Sequence, residues 1–152
     1  MSAISQLALR LVAPVFALDP KSDIHGRPHW ARVSRNGKTL CRVTGANVDI
    51  VEWFAYLHDS HRKNDGHDPL HGVRAARFAW ALWDAGHIKL SEQDFFHLQY
   101  ALATHSDGFT TAPIAVGVCW DADRLDLPRC GVTPDPKRMS TWAGRAAALG
   151  LR

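Results

Sequence analysis

Apolar positions along the chain recur at helical rather than strand spacing. Between 46 and 59, Ile50, Trp53, Phe54 and Leu57 fall at i, i+3, i+4 and i+7, behind Asn47, a residue suited to an N-cap. Asn64-Asp65-Gly66 reads as a turn. Asp68-Pro69 then reads as a helix start, with the aspartate capping and proline in the first helical position. That helix passes through Val73, Ala76, Trp80 and Trp83 to Gly86. Ser91 followed by Asp94 forms a variant capping box and opens a helix with Phe95, Leu98, Leu102 and His105 on one face. The apolar run 114–120 leads into Asp121, Asp123 and Asp126, and 138–149 reads as a last helix. Residues 7–18 read as an N-terminal core helix. Two readings compete over 24–45. Pro28 suits the start of a helix carrying His29, whereas Asn36-Gly37 has turn chemistry and 39–43 fits a short strand. The pattern predicts an all-α protein, one domain over 1–152 with about six helices.

Composition narrows the class without naming it. The 152 residues are 46% hydrophobic and 22% charged, which excludes disordered and collagen-like chains. Lys and Arg number 18 against 15 Asp and Glu, a net charge of +3. So mild an excess points to no clear nucleic-acid partner. The excess leans toward the C-terminus, with Arg129, Lys137, Arg138, Arg145 and Arg152 against Asp135, and fits a solvated surface. Cys41, Cys119 and Cys130 form no C-x-x-C pair, so neither a disulfide framework nor a thiolate zinc site is expected. The run at 7–18 is interrupted by Arg10 and Pro14 and lacks a basic lead and a cleavage site. It is also too short to span a bilayer. A cytoplasmic protein without membrane contact is expected.

Nine histidines in so short a chain change the picture. His58-Asp59 closes an apolar helix, where an imidazole nitrogen and a carboxylate oxygen on a rigid end can turn toward one cation. By itself the pair also fits an ordinary helix end, with the histidine meeting the helix dipole. The pair sits, however, in an ordered series: His29, His58-Asp59, His71, His105, and then Asp121-Ala122-Asp123-Arg124-Leu125-Asp126. His25, His61, His87 and His97 read as structural or surface residues, and His67 competes with His71 from a less rigid place. The six tryptophans at helical spacing read as core. No Walker loop, dinucleotide fingerprint or G-x-S-x-G is present.

The ordered series resembles the HD superfamily, whose pattern H…HD…D extends in two-metal members to H…HD…H…H…D. The resemblance covers roughly residues 25–130 and implies an HD-domain helical bundle. It implies His29, His58, Asp59 and Asp123 as the first metal site, with His71 and His105 adding a second ion bridged by Asp59. Asp123 is preferred to Asp121 because Asp-Ala-Asp-Arg-Leu is similar to an element of the alarmone hydrolases and the dNTP triphosphohydrolases; helical phase leaves Asp121 open. Arg62 stands three after Asp59, where many members carry lysine, and is expected to face a phosphate or carboxylate bound at the metals, with a solvated arginine at the helix end as the alternative. Arg124 and Arg129 are further substrate-binding candidates.

Nitrogen and oxygen ligands without thiolate suit one or two divalent ions of Mn, Fe, Co, Ni or Zn. The expected function is a metal-dependent phosphohydrolase in which metal-activated water attacks a small phosphorylated substrate, a phosphoester or nucleotide. Asp59 holds the metals and Arg62 neutralises the substrate. The same ligands also fit an HD-fold diiron oxygenase, and the same scaffold a non-catalytic ligand-sensing module.

Overall fold

The computed structural model describes residues 1–151; Arg152, counted above in the basic tail, lies outside them. Among the described residues there are seven α-helices and no strand: α1 (Ala3–Val12), α2 (Arg27–Thr44), α3 (Val48–Leu57), α4 (His71–Asp84), α5 (Glu92–Thr104), α6 (Ile114–Arg124) and α7 (Trp142–Ala148). Two 3-10 turns, Leu127–Cys130 and Pro136–Arg138, join α6 to α7. No helix among them is long and apolar enough to cross a membrane.

The organising element is α3. All its residues from Ile50 to Leu57 are buried, well beyond the one face its spacing marked. A helix buried all round must be surrounded, and α3 contacts α1, α2, α5 and α6. Its one buried charge, Glu52, is satisfied by the hydroxyls of Ser2 and Ser5 and by Lys38 Nζ at 2.9 Å. The C-terminal end of α3, carrying His58 and Asp59, is thereby held in the middle of the molecule.

Residues 27–44 form one helix, so neither the turn at Asn36-Gly37 nor the strand at 39–43 exists. A Cβ on Gly37 would lie 2.2 Å from Val51 Cγ1, so this glycine permits α2 and α3 to approach rather than turning the chain. Asn36 Nδ2 donates to Ala122 O of α6 at 3.1 Å. The helix runs on until Gly45, whose φ of +75° closes it.

Three other boundaries differ from expectation. The first helix ends at Val12 rather than reaching 18, because Pro14 has no N–H to continue the ladder. Asp68 does not cap α4, which begins at His71; its carboxylate instead accepts from Lys63 N at 2.8 Å and Arg74 Nη2 at 2.6 Å. The last helix starts at Trp142 rather than 138, where the Thr141 hydroxyl accepts Gly144 N. The inward face of α4 is also rotated from its hydrophobic pattern. Gly72, Ala75, Ala76 and Ala79 are buried, while Val73 and Trp80 are 37% and 47% exposed. Size decides this, since a Cβ at Gly72 would come within 2.5 Å of Leu102 O on α5. Of the tryptophans, Trp30, Trp53 and Trp120 are core, whereas Trp80 and Trp142 are exposed.

Candidate metal centre

Five helix ends converge beside α3. His29 lies in the first turn of α2 and His71 opens α4, while His58, His105 and Asp123 sit at or next to the C-terminal ends of α3, α5 and α6. Asp59 follows His58 in the turn after α3. Three C-terminal ends present partial negative charge, which favours a cation. His29, His58, Asp59, His71 and His105 are all buried. Such a concentration of polar groups in a core needs partners.

Each imidazole is oriented by its outer nitrogen. The Nδ1 of His58 donates to Ala55 O at 3.0 Å, that of His105 to Leu102 O at 2.8 Å, and that of His71 to Asp68 O. His29 Nδ1 donates to Asp126 Oδ2 at 2.7 Å, and Arg32 Nε holds the other oxygen of Asp126 at 2.8 Å. With all four Nδ1 atoms acting as donors, every Nε2 is turned inward as a potential ligand.

The inward atoms form two groups sharing one carboxylate. His29 Nε2 and His58 Nε2 are 3.0 Å apart. Asp59 Oδ2 lies 3.5 Å from the first and 3.3 Å from the second. Asp123 Oδ1 lies 3.3 and 3.5 Å from them. Donors about 2.0–2.1 Å from a common ion are separated by about 3.3–3.4 Å at tetrahedral angles and about 2.8–3.0 Å at right angles, so this group has the spacing of a metal shell. Asp123 Oδ1 is fully buried without a well-formed hydrogen bond, an orphan that a cation would satisfy. On the other side, His71 Nε2 and His105 Nε2 are 2.8 Å apart, with Asp59 Oδ1 at 3.4 and 3.8 Å. Asp59 therefore turns one oxygen to each pair.

Electrostatics agree. Burial opposes charge on His58, but Asp59 and Asp123 outweigh it and raise its pKa to about 10. For His29, burial is outweighed by hydrogen bonds with Asp123, Asp126 and Asp59, giving about 9. Burial likewise opposes charge on Asp59 and Asp123, yet the histidines hold both carboxyls well below the usual range. The first group thus demands positive charge at its centre. His71 behaves oppositely: burial and the neighbouring His105 lower it to about 4, leaving a neutral imidazole ready to ligate.

Asp121 lies elsewhere. Its carboxylate accepts from Ser140 N at 2.7 Å, Thr141 N at 2.8 Å and the Thr141 hydroxyl, tying α6 to the start of α7. A Cβ on Gly144 would fall 2.1 Å from Asp121 Oδ2, so the fit is tight. Asp121→Ala is expected to destabilise the fold by about 1–3 kcal/mol, through buried donors left unpaired, with metal content unchanged. Asp123→Ala should do the reverse, and thermal melts beside elemental analysis check both.

The arginines are placed unequally. Arg62 Nε donates to Asp59 Oδ1 at 3.1 Å, and Nη1 reaches Gly66 O at 3.3 Å. Arg62 also lines a cavity of about 270 Å³ with His67, Asp68, His71, Ser106 and Asp107. Arg124 donates to Phe109 O and Arg138 O and lies over Trp120. Arg129 Nε donates to Ile24 O at 2.7 Å and Nη1 to Asp126 O. Their donors are thus engaged in holding loops around the site. His67 is exposed in the turn before α4 and stands outside the cluster.

Two participants carried no signal strong enough to single them out. In the sequence Asp126 is one of an acidic segment; its place three residues after Asp123, on the same side of the turn, is the clue to a carboxylate that orients the inward-facing His29. His25, read as structural or surface, is buried beside the site, its ring centroid 6.5 Å from that of His29.

No family model matches the chain, and no curated protein matches it. A solved structure does: a predicted HD superfamily hydrolase from an uncultured Thermotogales bacterium superposes with a TM-score of 0.74. The two share 21% identity, and the match covers 95% of this chain and 83% of the other. The expected all-helical HD architecture is thus realised, and the chain has the fold of an HD superfamily protein.

Proposed function

We propose that this chain is a cytoplasmic, metal-dependent phosphohydrolase of the HD superfamily, acting on a small phosphorylated substrate such as a phosphoester or nucleotide. One observation carries the reading: the Asp59 carboxylate is divided between two pairs of histidines whose Nε2 atoms all face inward. His29, His58, Asp59 and Asp123 would hold one divalent ion, and Asp59, His71 and His105 a second. Mn, Fe, Co, Ni and Zn all suit these nitrogen and oxygen donors. When bound, the ions supply Lewis acidity toward phosphoryl oxygens and acidify water at neutral pH.

The chain's own residues do the rest. Asp126 and the backbone carbonyls fix the tautomer of each histidine. Arg62 steadies Asp59 through Nε and lines the cavity beside His71, where a guanidinium meets a phosphate. At about 270 Å³ that cavity is smaller than the roughly 300–1,000 Å³ usual for whole ligands. It suits a phosphoryl group, with the remainder of the substrate projecting outward.

The test is a phosphate-release screen under anaerobic conditions with Mn- or Co-loaded protein, run beside an oxygen electrode. Hydrolysis that disappears in Asp59→Ala supports the reading. Arg62→Ala should act mainly on KM, by about 1.5–3 kcal/mol for a lost charge-assisted contact. Silence across metals and nucleotides, with iron-dependent O₂ uptake, would replace it by the oxygenase reading.

A further inference from the structure

One face of α2 carries charge that the fold does not use. Arg35, Lys38 and Arg42 stand at i, i+3 and i+7, so they form a single stripe in which like charges repel. Only Lys38 has a carboxylate partner, Glu52 at 2.9 Å. The guanidinium groups of Arg35 and Arg42 make no ion pair or hydrogen bond among the described residues. The stripe borders a cavity of about 530 Å³ whose walls also include Ser5 of α1, Ser34 of α2 and Tyr56 of α3. No carboxylate lines it. Ser34 and Tyr56 are 3% and 5% exposed, and neither hydroxyl has a hydrogen-bond partner among the described residues. Buried donors of this kind call for an acceptor.

We propose that this cavity binds a small phosphate-bearing ligand, at a site separate from the metal centre. The forked N–H donors of Arg35 and Arg42 match phosphate oxygens, and Lys38 adds a third positive charge. The hydroxyls of Ser34 and Tyr56 supply neutral, directional donors that a diffuse layer of counter-ions would not need. The volume falls within the roughly 300–1,000 Å³ usual for whole small ligands, against about 270 Å³ for the cavity beside His71. A concave pocket in a chain of net charge +3 favours a small molecule over nucleic acid, whose many phosphates call for an extended basic surface. Helical backbone carries Tyr56 and His58, two residues apart and so about 200° apart around the axis. The cavity and the metal cluster therefore lie on opposite sides of α3, and none of the candidate metal ligands lines this cavity. The site stands independently of the phosphohydrolase reading.

The experiment titrates isotope-labelled, full-length protein, reconstituted with zinc, with inorganic phosphate and follows the amide chemical shifts. Residues 34–42 and Tyr56 should shift saturably with one common Kd. The double variant Arg35→Ala, Arg42→Ala should raise that Kd by about 10-fold or more, and Tyr56→Phe by about 5-fold, while any phosphate response around Arg62 and His71 stays as in wild type. Both arginines are exposed and without partners, so the double variant should fold normally, which thermal melts check. No saturable response at residues 34–42 overturns the proposal. So does a response that both variants leave unchanged, which marks counter-ions gathered by the surface. A response evoked only by a single-stranded oligonucleotide or by phosphatidylserine vesicles, and not by phosphate, overturns it in favour of a macromolecular surface. Should Tyr56→Phe fail to fold, the arginine variant decides alone, and a wild-type Kd there overturns the site.

Discussion

Adding a divalent transition metal to chelator-stripped protein should raise its melting temperature by on the order of 10 °C, and Asp59→Ala should abolish the rise. A ligand that binds only the folded state stabilises it by about 4 kcal/mol at 1,000 times its Kd. In a chain of this size each kcal/mol is worth roughly 2–4 °C. Asp59 is the sensitive position because its two oxygens face different histidine pairs. His29→Ala or His105→Ala removes a ligand from one group, whereas Asp59→Ala removes one from both. It also strands Arg62, whose Nε lies 3.1 Å from the lost oxygen. Thermal melts with and without metal decide the matter. A full metal-dependent rise in Asp59→Ala would show that the cluster binds without its shared carboxylate.

Gly72→Ala should cost the second ion while sparing the first. Gly72 follows His71 directly, and α4 rests so closely on α5 there that a Cβ would meet Leu102 O at 2.5 Å and Ala103 O at 3.1 Å. Those are backbone atoms at the end of α5, just ahead of His105, and cannot swing aside. The helices must part, and the 2.8 Å separation of the His71 and His105 Nε2 atoms must widen. The overpacking should destabilise by about 1–3 kcal/mol, against about 1 kcal/mol regained by replacing a helical glycine. Metal stoichiometry should fall toward one, although no ligand has been altered. Wild-type stoichiometry in this variant would contradict the idea that helix spacing sets the second site.

How much of this was legible in the sequence follows from what kind of signal each feature leaves. For α3 and α5, apolar residues at helical spacing and capping by Asn47 and Ser91 sufficed, because burial and hydrophobicity coincide there. Gly37 misled because turn formation and close helix contact call for the same residue. The face of α4 misled because periodicity weighs hydrophobicity, whereas packing against α5 weighs size, and alanine outranks tryptophan. The cluster was legible because its residues close or open helices in a recognisable order. Choosing Asp123 over Asp121 needed similarity: α6 is buried on several sides, and only the contact with Thr141 shows where Asp121 goes. The His25–Asp65 pair joins two loops forty residues apart and leaves no periodic trace.

The central claim is that these helix ends form a two-ion centre. Elemental analysis of protein reconstituted with a divalent transition metal and then desalted, with anomalous diffraction to locate the ions, tests it most directly. Two ions per chain are predicted, one among His29, His58, Asp59 and Asp123 and one among Asp59, His71 and His105. A protein that retains no metal after reconstitution would contradict the account.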